Sequence, residues 1–214
     1  ILILINQSEK MLFMKRLLII LILTLSSHSE AKAEDFKDFQ IEGISIGDSL
    51  LDYFEIDNIE KEKNSRFSVK YKGNKFIGLG IGQTNEFPLI KNLEIYDEVA
   101  VIVKPSDKKY IVYGLTGEIH CSENIQKCFD TKDEIIKDFK NSFNELTVDS
   151  WELKHPDDPS GKSIVYGNDI TTDLKGANLS VSVYKMFSED FHDAVKVSIR
   201  LDEYSNFLLN EAYE

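Results

Sequence analysis

The clearest periodicity lies toward the C-terminal end of the chain. Leu179, Val181 and Val183 alternate with Ser180, Ser182 and Tyr184; Val195, Val197, Ile199 and Leu201 alternate with Lys196, Ser198 and Arg200. A period of two, apolar on one side and polar on the other, predicts two strands of an antiparallel sheet covered on one face. Gly176-Ala177-Asn178 and residues 188–193 read as the turns beside them. Residues 163–173 and 148–154 predict two earlier strands, with Trp151 as a core anchor, and Phe207 and Leu208 mark a C-terminal helix over 204–213.

A second β-rich block comes earlier. Phe67, Val69 and Tyr71 alternate with Ser68, Lys70 and Lys72, and Gly73-Asn74 is a two-residue hairpin turn. Residues 75–81 return as a strand weakened by Gly78 and Gly80, and 84–92, containing Pro88, form a loop. Residues 98–103 give a third strand, Pro105-Ser106-Asp107 a turn, and 110–119 a fourth strand. That fourth strand is apolar on both faces and is expected to be central. Ahead of this block, Gly47 permits a turn and Asp48 caps a short helix packed through Leu50 and Phe54.

Between the blocks lies the strongest helix. Thr131 precedes Glu134 at capping-box spacing, and Ile135, Ile136, Phe139 and Phe143 share one helical face. The expected span is 131–144, lying over a sheet. Just before it, Cys121 and Cys128 are the chain's two cysteines. In one continuous helix their Cα atoms would be about 10.5 Å apart, against the 4.4–6.8 Å or so that a disulfide needs. If they pair, the pattern therefore places a loop or broken turn over 122–127 and starts the helix after Cys128. The alternative is a Cys/His site with His120, which lacks a second histidine at useful spacing.

The N-terminal region changes the picture. Lys15 and Arg16 precede the run LLIILILTL at 17–25, and Ala31-Lys32-Ala33 follows. This is the layout of a secretory signal peptide, with cleavage expected between Ala33 and Glu34 and translation starting at Met11 or Met14. The run is shorter than the roughly 20 residues of a membrane span, so no span is expected in the mature chain; an uncleaved anchor is the other reading. Residues 1–33 are upstream sequence and leader, and 34–214 the mature domain, with halves at 41–120 and 121–214. Export, to the periplasm first and outside the cell second, favours a persistent Cys121–Cys128 disulfide.

Without 1–33, the 25 basic and 37 acidic residues lose four and two, leaving a net charge of −14. Nucleic acid is a poor partner for such a chain; a protein or a small ligand is the expected one. No motif carries chemistry. The histidines have no metal-protease spacing, no nucleophile elbow or phosphate loop is present, and the 155–161 loop HPDDPSG lacks the calcium-loop pattern. No catalytic, cofactor or metal residue is assigned. Tyr71, Tyr96, Tyr110, Tyr113, Tyr166 and Tyr184 fall at strand positions, where they could line a ligand face together with scattered carboxylates.

The stretch GISIGDSLLDYF at 43–54 resembles a motif of small exported bacterial proteins of unassigned function. The order of glycine turn, short helix and antiparallel strands is similar to the outer-membrane assembly factor BamE and to beta-lactamase inhibitor proteins. BamE-type proteins carry a lipidated cysteine, which this chain lacks. The resemblance implies a non-catalytic, protein-binding module of the cell envelope. The expected fold is α+β: an antiparallel sheet covered by one long central helix, a short N-terminal helix, and a diverged twofold repeat of helix plus strands. The expected function is non-catalytic binding, with a small hydrolase or ligand-binding protein using a carboxylate/tyrosine site as the alternative.

Overall fold

The computed structural model describes residues 36–82, 93–121, 124–143, 145–156, 158–187 and 192–212. The leader, its cleavage site, the 84–92 loop and most of the 188–193 turn lie outside the described residues.

Eight strands form one antiparallel sheet: β1 (Val69–Lys70), β2 (Ile77–Gly80), β3 (Glu98–Val103), β4 (Gly114–His120), β5 (Leu146–Lys154), β6 (Ile164–Thr172), β7 (Ala177–Lys185) and β8 (Ala194–Leu201). Their order is β1-β2-β3-β4-β8-β7-β6-β5. Each half of the chain is thus a four-strand meander running from an edge to the middle. The halves meet where β4 pairs with β8, from Gly114↔Arg200 to His120↔Ala194. Among the described residues three α-helices accompany the sheet: α1 (Ile56–Lys63), α2 (Ile125–Ser142) and α3 (Asp202–Asn210).

The covering layer differs from the single central helix that the sequence predicts. α2 packs on β7 and β8, α1 packs on β2, and α3 sits against the ends of β8 and β7. A helix is about 10 Å across and strands are about 4.8 Å apart, so one helix covers about two strands of eight. The first half is covered instead by the segment leading into α1, which buries Phe36, Phe39, Ile41, Ile44, Ile46 and Leu50 together with Ile59 of α1. Phe39 stacks on Phe143 at 5.1 Å and meets Phe139 edge-on at 5.9 Å, which joins this segment to α2. Beneath lie Leu79, Val101, Val103, Leu115, Val181 and Val183, all fully buried.

α2 begins six residues earlier than the capping-box spacing predicts. Asn124 is its cap, accepting from the Gln126 amide at 3.0 Å, and Thr131 lies inside the helix. Cys121 and Cys128 are joined, with Cα atoms 5.5 Å apart. Only one cysteine has to stand outside the helix. Cys121 continues β4, its amide donating to the Asp193 carbonyl at 2.8 Å, while Cys128 is in the first turns of α2. The bridge ties the central strand to its covering helix.

The expected short helix at 50–54 is a single 3-10 turn, Leu50–Asp52, capped by Ser49 rather than Asp48. The Asp48 carboxylate accepts the Ser45 amide at 2.9 Å and the Tyr53 hydroxyl. The same segment shortens β4. Gly47 donates to the Val112 carbonyl, Val112 to Asp48, and Leu50 to Tyr110, so 110–112 pair with the 47–50 loop and not with β3. The expected two-residue hairpin at Gly73-Asn74 is a longer connection: both residues have positive φ, but β1 and β2 pair only at Val69↔Gly78 and Lys70↔Ile77, which leaves 71–76 as a loop with a 3-10 turn at Lys72–Asn74.

Candidate functional site

With α1, α2 and the 36–50 segment on one face, the other face of the sheet is covered among the described residues mainly by α3, at one end. Register fixes what points there. On β2 these are Gly78 and Gly80, on β3 Glu98, Ala100 and Ile102, on β4 Gly114, Thr116, Glu118 and His120, and on β8 Lys196, Ser198 and Arg200. Small side chains in the centre leave a trough of about 400 Å³. Its floor is Gly78, Gly80, Ala100, Gly114, Thr116 and Ser198, and Phe67, Tyr71, Tyr204, Leu208 and Tyr184 wall it. Thr116 and Ser198 share a hydrogen bond of 2.9 Å across the β4–β8 seam. Tyr204, on α3, donates to the Tyr71 hydroxyl at 2.6 Å and closes one end.

One end of the trough carries ionisable groups. Glu98 and Glu118 are directly paired across β3 and β4, and Glu118 is paired with Lys196 across β4 and β8. Lys196 Nζ is 2.9 Å from Glu118 Oε2 and lies 4.4 Å from the centre of the Tyr184 ring. His120 Nε2 is 3.4 Å from Glu98 and 3.5 Å from Glu118. His192 adds a second imidazole, 5.0 Å away ring to ring. Burial, helped by repulsion from Glu118, holds the Glu98 carboxyl above its ordinary range, against the pull of His120, Lys196 and His192. Burial pulls Lys196 down, but the attraction of Glu118 outweighs it and the ammonium is held above its usual value.

Arg200 lies at the opposite end. Its Nη2 donates to Ser180 Oγ at 3.1 Å. Its Nε is buried and has no hydrogen-bond partner, and among the described residues no carboxylate forms an ion pair with it. Leaving a buried donor unmatched costs about 1–3 kcal/mol.

The residues singled out in the sequence are dispersed. Tyr71 and Tyr184 line the trough. Tyr96 covers Gly117, and Tyr166 packs on Phe129 of α2, both on the helix-covered face. Tyr110 bonds to Glu60, and Tyr113 packs on Phe76 beneath Lys104. The disulfide sits in the covering layer and takes no part in the trough. Asp158 spends its carboxylate on the amides of Ser160, Lys162 and Ser163, which organises 158–163 as a turn. Among the described residues no group of three or more His, Cys, Asp and Glu side chains is placed to hold a metal ion.

Trp151 is not the expected core anchor. It is half-buried on the α3 face, lying over Gly167 of the neighbouring strand, where a Cβ would come 2.0 Å from the indole. Sequence reasoning missed Lys196, Ser198 and Arg200 as a set. Their alternation in β8 was the available signal, but it reads first as an ordinary wet face.

Among the described residues no helix is long and apolar enough to cross a membrane. Comparison with protein-family models, curated proteins and solved structures finds no match.

Proposed function

We propose that this chain is an exported, non-catalytic binding module, periplasmic rather than extracellular, that holds its partner along the α3 face of the sheet. One observation carries the reading. The centre of an eight-stranded sheet, where bulky β-formers are favoured, is floored by Gly78, Gly80, Ala100, Gly114, Thr116 and Ser198 and walled by aromatic side chains. The acidic balance of the mature chain disfavours nucleic acid and anionic lipid as the partner. The two meanders, each preceded by a helix, support the reading of a diverged twofold repeat whose seam forms the middle of the binding face.

Affinity capture from envelope extracts tests this when run with the wild-type chain and with Ala100→Phe, which fills the trough from its floor. A partner retained by the first and lost by the second supports the reading. A partner held equally by both removes the trough from the function.

A second reading is favoured by the ionisable end of the trough. Glu98, Glu118, His120 and Tyr184 come together there, the residue types that the carboxylate/tyrosine alternative requires. In that reading the chain is a small hydrolase or ligand-binding protein, with Glu98 as proton donor and Glu118 paired with Lys196. Turnover of a small-molecule substrate that disappears in Glu98→Gln would favour it.

A further inference from the structure

We propose that the trough takes a short peptide with free ends, its terminal carboxylate at Arg200 and its amino group at Glu98. This rests on the trough being the binding site, and adds what lies in it.

The argument is charge placement. Arg200 is the cation of the trough with no carboxylate partner among the described residues, and its buried Nε is an orphaned donor beside the Nη2 that Ser180 occupies. Nε is shut off from the trough, so the carboxylate meets the guanidinium end-on, through its outer Nη groups, a fork matched to two carboxylate oxygens. At the far end Glu118 is neutralised by Lys196 at 2.9 Å, whereas among the described residues Glu98 has its ion-pair contact with His120, at 3.4 Å. The trough therefore offers a positive and a negative end.

Their spacing selects the ligand. The Arg200 row and the Glu98 row are four residues apart along the sheet. Arg200 leans back toward Ser180, two residues nearer that row but one strand further out. Four residues at about 3.4 Å along the strands and two strands at about 4.8 Å across them put the charges about 16 Å apart; with about 3 Å for each contact, the ligand's ends lie about 10–16 Å apart, the span of a tri- to pentapeptide. Between the ends, the glycines and Ala100 leave the floor open, while Ile102 and Tyr204 offer apolar contact to peptide side chains. A peptide backbone also has donors and acceptors for the Thr116 and Ser198 hydroxyls.

Calorimetry on protein purified from an exporting host tests this with a mixed tripeptide pool bearing free termini, the same pool C-terminally amidated, the same pool N-acetylated, and hexanoate. Free tripeptides are expected to bind. Amidation, or Arg200→Gln, should weaken binding about tenfold or more, since each removes a charge-assisted contact. Arg200→Lys should restore part of it, and N-acetylation or Glu98→Gln should weaken it severalfold. Equal binding of the amidated pool, unchanged binding by Arg200→Gln, or hexanoate binding as tightly as the tripeptides overturns the assignment, as does failure of every peptide to bind. If free and amidated pools bind alike and Ala100→Phe abolishes both, the peptide-end assignment falls while the trough stands as the site.

Discussion

Breaking the Cys121–Cys128 bridge should lower stability by an amount that the closed loop sets. The two residues are seven apart in sequence. In the chain-entropy model a loop of that size restricts the unfolded chain by about 2.5 kcal/mol. Both cysteines are fully buried or nearly so, and as thiols they would still pack as small hydrophobic groups, so a cavity adds little to the loss. For a chain of this length the midpoint of thermal unfolding should fall by about 5–10 °C. Because the sulfurs are buried, reductant must be added to unfolded protein and the chain then refolded without air. Urea titrations of the oxidised and refolded reduced forms, followed by far-UV circular dichroism, give the difference directly, with Cys121→Ala/Cys128→Ala as control. The native spectrum should not change, since the bridge acts mainly on the unfolded ensemble and α2 has its own cap at Asn124. A loss under about 1 kcal/mol, or loss of the α2 helical signal in the reduced native state, would refute the account.

Glu42 accepts the amides of Glu94, Ile95 and Tyr96 at 2.8–3.0 Å and so fixes the approach to β3; Glu42→Ala should cost about 2 kcal/mol in urea titration, and Glu42→Gln less. Glu98 is raised when folded, so the folded state binds its proton more tightly than the unfolded chain; the group favours folding at low pH and opposes it as pH rises through the folded value. Glu98→Gln should therefore stabilise at neutral pH, with the gain disappearing below the ordinary glutamate range, and a gain that does not change with pH would contradict the sign. Gly167→Val should push the chain's one tryptophan off the sheet, and a red shift in Trp151 emission without loss of the fold is the expected readout. Intact mass of exported protein should match a chain starting at Glu34, and retention of residues 1–33 would count against the leader reading.

The strands with strict alternation were legible in the sequence because one face is buried and the other wet. β8 follows the predicted pattern and β3 matches residue for residue, whereas β7 follows it only on its apolar face, since Ser180 and Ser182 are buried as well. The errors arise where a long-range partner replaces a local one. Tyr110 to Val112 look like β4, but their backbone groups are taken by 47–50, some 60 residues earlier. Thr131 and Glu134 have capping-box spacing, but the disulfide and Asn124 carry the helix past them toward its N-terminus. Trp151 has the size of a core residue, and only Gly167 on the next strand makes the α3 face a place for it. The trough was illegible for a similar reason: its residues come from four strands spread over more than 120 positions, and each strand alone contributes only two to four residues.

Gly78 and Gly80 were read as residues that weaken a strand, and energetically they are. A glycine in a strand interior sacrifices packing and raises the entropy lost on folding, by about 0.5–1 kcal/mol each relative to alanine. Gly114 faces the same trough from β4, where an added Cβ would lie 3.1 Å from both Ile102 and Tyr204. That third glycine has a packing reason: the aromatic ring of α3 closes over it. Gly78 is bounded by Ile102 at 3.3 Å and Val69 at 3.4 Å, tight but yielding contacts with flexible or edge side chains. Packing therefore explains Gly114 better than it explains Gly78. If the floor serves only the fold, Gly78→Ala should raise stability while leaving any captured ligand bound. If the floor is kept open for a ligand, the same substitution should leave the fold intact and weaken binding, and thermal melts with and without ligand separate the two outcomes.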